Sequence, residues 1–168
     1  MSDPLVHSAD AKLEALELSM ICSGQVIEFP VEHRFTPGLY SRQVTLPAGS
    51  LNTSKIHKTE HQYVILRGKV SVAVYCDGEL LEVKHIEGPS IGVTRPGYRR
   101  VVYAHEETVW ITFHPIEPRE HGDVDAIEER IIERRELPCG KSTHELYIEA
   151  LNALTAQRAP NALKGGDL

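Results

Sequence analysis

Between Gln25 and His114 the chain is cut into short β-branched runs: QVIEF, GLYSRQVTL, HQYVIL, KVSVAVY, ELLEVK, SIGVT, RRVVYA and VWITFH. Each is short for a helix, and turn signals such as Pro47-Ala48-Gly49, Cys76-Asp77-Gly78 and Arg95-Pro96-Gly97 stand between them. Short strands closed by Pro and Gly can bury their apolar faces only by stacking or closing on one another, so an all-β sandwich or barrel is expected. Asp77-Gly78 supplies the positive φ of a tight hairpin, and Ala104-His105-Glu106-Glu107-Thr108 reads as a polar tip, so consecutive antiparallel strands are expected at both joints.

The flanks change texture. Leu13, Leu16 and Met20 fall at helical spacing behind Ser8 as an N-cap. After Pro115 the segments DVDAIEERIIERRE and Ser142 to Arg158 read as helices, the second opened by a Ser142/Glu145 capping box. The expected organisation is an N-terminal helical extension (1–24), a β-barrel (25–116) and a C-terminal helical extension (117–168) that packs on the barrel or on a partner subunit. Ile127, Ile131, Leu146 and Leu154 supply apolar stripes there, from which a homo-oligomer is expected.

With 168 residues the chain suits one core. A net charge of -6 argues against binding extended nucleic acid but leaves a local basic pocket open. Cys22, Cys76 and Cys139 are odd in number and widely spaced, so reduced thiols are expected rather than disulfides or a zinc knuckle. No run approaches the roughly 20 apolar residues of a membrane span, and the expected location is the cytoplasm.

Gly49 to Gly68, GSLNTSKIHKTEHQYVILRG, resembles the first cupin motif, in which a His-x-His pair and a glutamate lie between two glycines. Counting back from Gly68, Lys55 stands at the first histidine, His57 at the second and His61 at the glutamate. Arg95-Pro96-Gly97-Tyr98-Arg99-Arg100 resembles the second motif, with Arg100 where its histidine would be. Across about residues 38 to 134 the chain is similar to short cupin-like proteins of phage and prophage genomes. The resemblance implies a mainly β, cupin-type double-stranded β-helix, or jelly-roll barrel, of a bacterial host's cytoplasm if phage-encoded.

Strand periodicity puts Lys55 and His57 on one face, with His61 and Tyr63 joining them after the turn and Arg100 opposite. A protonated Lys and Arg are no metal ligands, so no metal or other cofactor is expected; His57, His61 and His114 are the weak candidates, because VWITFHP does not reveal where His114 faces. His105 is a further candidate third ligand, but one expected at a turn tip. Fixed cations suit a small anionic, nucleotide-derived ligand, on whose base or sugar Tyr63, Tyr98 or Trp110 stacks. A phage role in sequestering a host nucleotide signal follows from the resemblance alone. Two alternatives stand beside it. One is metal-independent phosphodiester cleavage, with His57 and His61 as acid and base. The other is a ligand-free structural protein, in which Lys55 and Arg100 pair with carboxylates such as Glu60 or Glu32.

Overall fold

The computed structural model describes residues 8–134, 140–141 and 143–158; Ser142 and Cys139 lie outside the described residues, and the side chains of Ser8, His144 and Leu154 lie outside the described side chains. By contacts the chain divides into two units, one holding 8–13 and 29–134, the other 14–28 and the described residues after 134. The first contains the strands β1 (Val31–Thr36), β2 (Leu39–Leu46), β3 (Leu51–Thr53), β4 (Ile56–His57), β5 (His61–Arg67), β6 (Lys69–Cys76), β7 (Glu79–Glu87), β8 (Ser90–Thr94), β9 (Tyr98–Ala104), β10 (Thr108–Pro115) and β11 (Ile132–Glu133). Helix α1 spans Ser8–Cys22, α2 Val124–Ile131 and α3 Thr143–Arg158. In the second unit, the Tyr147 hydroxyl donates to the Ile27 carbonyl at 3.1 Å.

Pairing is antiparallel throughout, in a five-stranded sheet ordered β1-β2-β10-β5-β8, a four-stranded sheet ordered β3-β9-β6-β7, and the small pair β11-β4. Leaving aside β1 and β4, the chain crosses between the two large sheets at every step except the β6–β7 hairpin, and this order is that of a jelly roll. Leu46, Tyr63, Ile65 and Trp110 of one sheet meet Val70, Val72, Val74, Val102 and Ala104 of the other in the main core. A second apolar cluster joins Tyr40 to Ile116, Ile127, Ile131 and Ile132.

Three local expectations change. Gln25–Glu28 lie outside any strand, and Phe29 packs against the core just before Pro30, which has no N–H to give a ladder; strand structure begins at Val31. β9 and β10 are not paired, because the tip between them carries the chain from one sheet to the other. The helix expected over DVDAIEERIIERRE ends at Ile131, since Ile132 and Glu133 pair with His57 and Ile56. The Asp77-Gly78 hairpin forms as expected, with both residues at positive φ. Ile127 and Ile131, expected to serve a partner subunit, are buried within the chain. No helix among the described residues is long and apolar enough to cross a membrane.

Candidate metal centre

Strand alternation points His61, Tyr63 and Ile65 of β5 inward, at 5%, 8% and 0% exposure. From β10, His114 lies opposite Tyr40 of β2 and is 2% exposed. His57 needs more support, because β4 is only two residues long. Its carbonyl accepts the Gly97 N–H at 2.9 Å, and Ile132 of β11 pairs with it on the other side. Gly97 has φ 79°, a conformation that L side chains resist, so the Arg95-Pro96-Gly97 turn can reach His57 because glycine ends it. Ser54 latches the two motif segments: its N–H donates to the Arg100 carbonyl at 2.8 Å, and its Oγ accepts the Arg100 N–H at 2.9 Å.

The rings of His57, His61 and His114 converge, with centroids 4.2, 4.5 and 5.4 Å apart. One ring nitrogen of each lies within 4.8 Å of the others. Tyr40 of the second cluster stacks on His114 at 6.0 Å, and Tyr63 of the main core is the next inward residue after His61 on β5. Burial in these apolar surroundings is the chief reason that the imidazoles stay neutral: it pushes His57 down to about 2, His114 to about 3 and His61 to about 4. The other two imidazoles and the Arg100 and Arg42 guanidiniums push His57 further the same way.

Several features fit a metal ion. Neutral imidazole is the form that ligates. His61 Nδ1 lies 3.4 Å from the Thr59 carbonyl, a long contact that leaves the far nitrogen for the cluster. His114 Nε2 is 3.2 Å from Thr112 Oγ1, whereas His114 Nδ1 is buried without a partner. An orphaned buried nitrogen costs about 1–3 kcal/mol, which a bound ion would offset. Two nitrogens about 2.1 Å from one tetrahedral ion stand about 3.4 Å apart, a separation that falls inside the 4.8 Å within which the three ring nitrogens lie. The group contains no carboxylate, so it would leave coordination positions open.

Arg100 is 7% exposed and lies over the Tyr63 ring, 5.3 Å from its centroid, while Tyr63 stacks on Trp110 at 4.7 Å. Tyr63 fits because its cross-strand partner is Gly92, where a Cβ would stand 2.5 Å from the phenol ring. Tyr98 is half-buried against the core. Lys55 Nζ pairs with Glu128 of α2 at 2.7 Å, rather than with Glu60 or Glu32. His105 is exposed, bonds Ser71 Oγ at 2.6 Å and stays outside the histidine group. Sequence periodicity leaves the direction of His114 open and does not single out Arg42. In GLYSRQVTL, Arg42 shares the inward face with Tyr40 and Val44, but no motif singles it out.

No family model matches the chain, and no curated protein matches it. Among solved structures it is similar to an RmlC-like cupin family protein with a double-stranded β-helix fold from Methanocaldococcus jannaschii, at 12% identity over 57% of this chain and 87% of that one, with TM-score 0.43. A cupin superfamily protein from Desulfitobacterium hafniense matches at 6% identity over 55% and 82%, TM-score 0.44. Hydroxypropylphosphonic acid epoxidase from S. wedmorenis matches at 9% identity, TM-score 0.42, over 52% of this chain and 55% of the epoxidase, about half its length. The fold is the cupin-type double-stranded β-helix. The order of strands in the two sheets carries that assignment, because likenesses this distant add no weight of their own.

Proposed function

We propose that this chain binds one divalent transition-metal ion through His57, His61 and His114, and that the centre receives a small anionic ligand held by Arg100. The observation that carries the reading is the convergence of three desolvated, neutral imidazoles, one with an unpartnered buried nitrogen, inside a barrel. Imidazole donors suit zinc, iron, nickel or copper. Such an ion would supply Lewis-acid polarisation of the bound anion. Arg100 orients the anion through its planar fork, and its stacking on Tyr63 fixes that fork in advance.

The sequence also suggested metal-independent phosphodiester cleavage, which needs one histidine protonated as the acid. Burial favours the neutral form of both His57 and His61 near neutrality, so the metal reading has the better support. A nucleotide-derived ligand within a phage protein remains the reading of the resemblance. Against its base-stacking element, Tyr63 and Trp110 face each other and Arg100 covers Tyr63, which favours a smaller anion. A homo-oligomer would have to use surfaces other than Ile127 and Ile131.

The test is equilibrium dialysis of the purified chain against zinc, followed by metal analysis. We expect one equivalent, lost in His61→Ala and in His114→Ala. Equal zinc uptake by the wild type and both variants would sink the proposal.

A further inference from the structure

The interior face of β2 carries Tyr40, Arg42, Val44 and Leu46 in alternation, and its ends are fixed by burial, Tyr40 being 1% and Leu46 2% exposed. On β10 the cross-strand partners of Tyr40 and Arg42 are His114 and Thr112, and Thr112 bonds His114. Arg42 therefore emerges beside His114, one inward position further into the barrel from Tyr40. Arg100 reaches the same space from β9 of the other sheet, over Tyr63.

The two guanidiniums share a further property. Among the described residues neither forms a hydrogen bond or ion pair through its side chain, although Arg100 is buried and Arg42 half-buried. The nearby carboxylates are engaged elsewhere, Glu128 by Lys55 and Glu82 by Lys84. The charges bear on the imidazoles from different directions: that of Arg42 acts on His33, His57 and His114, that of Arg100 on His57 and His61. A desolvated cation without a counter-charge is unfavourable, and a monoanion would answer only one of the two.

We infer that Arg42 and Arg100 hold the two ends of a small dicarboxylate lying across His57, His61 and His114. The inference rests on the metal reading for what lies beneath the ligand, whereas the two-arginine clamp is read separately. Each arginine offers a planar fork matched to a carboxylate, and among the described residues neither has to break a hydrogen bond or ion pair to use it.

The test titrates the full chain with malonate, succinate, glutarate and acetate by calorimetry, once loaded with zinc and once in EDTA, with bound zinc measured for every variant. At least one dicarboxylate should bind the wild type about tenfold or more tightly than acetate, as expected when a second charged end is engaged. Arg42→Gln and Arg100→Gln should each remove that advantage, and Arg42→Lys should keep part of it while folding as the wild type does by circular dichroism. A dicarboxylate affinity untouched by Arg42→Gln, or no preference over acetate in either condition, overturns the clamp. Absence of bound zinc in the wild type overturns the metal reading instead, and the EDTA titrations then decide the clamp by the same comparison.

Discussion

At the scale of single residues, the site depends on side chains whose positions the sequence disclosed unevenly. His57 and His61 were legible because motif spacing and strand alternation both put them on one inward face. His114 was not, because the register of β10 shifts between Val109 and Trp110, and Thr108, Val109 and Trp110 are all buried, so alternation fails where counting would begin. Removing one of three ligands should cost more than loss of an orienting partner, which is typically 10–100-fold; for His114→Ala we expect zinc affinity to fall by more than about 100-fold in competition with a chelator of known affinity. Gly92 acts at one remove. Its alanine variant would press on the Tyr63 ring, and with it the Arg100 fork, so we expect a loss of stability of about 1–3 kcal/mol in urea melts together with weaker anion binding. Wild-type anion affinity in Gly92→Ala would show that Tyr63 does not set the position of Arg100.

At the scale of elements, the jelly roll was legible from its turns, and the crossing of the Ala104–Thr108 tip between sheets was not, because a short polar tip looks the same whichever sheet receives the next strand. The role of α2 and β11 was equally hidden. Charged helical texture after Pro115 suggested an appendage, but Ile127 and Ile131 close the second apolar cluster, and β11 supports the two residues of β4 that carry His57. Glu120 and Arg130 fasten the same region through hydrogen bonds of 2.6 and 3.0 Å. Truncating the fully buried Ile127 to Ala should cost about 2–5 kcal/mol of stability. It should also weaken metal binding, since the support of His57 is loosened; unchanged zinc affinity in a destabilised Ile127→Ala protein would separate α2 from the site.

For the whole molecule, three neutral buried imidazoles make the metal-free fold sensitive to acid. Unfolded histidine takes up a proton near pH 6.5, whereas His61, His114 and His57 resist until about 4, 3 and 2. The unfolded chain therefore binds more protons throughout that window, so stability is greatest above about pH 6.5 and falls as the pH drops towards 4. Thermal melts of the EDTA-treated protein should show this decline, and substituting His57 by Gln should flatten it. Saturating zinc should raise stability at neutral pH by about 2.7 kcal/mol at a free concentration one hundred times the dissociation constant. The net charge of -6 gave no hint of the cationic interior, because Arg42 and Arg100 are outweighed in the total by surface carboxylates. The most direct test of the centre is X-ray absorption at the zinc edge on the zinc-loaded chain. We expect three imidazole nitrogens at about 2.0–2.1 Å, with one histidine lost from the shell in His114→Ala; a shell of oxygen donors alone, or one identical in the variant, would show that the three histidines do not hold the ion.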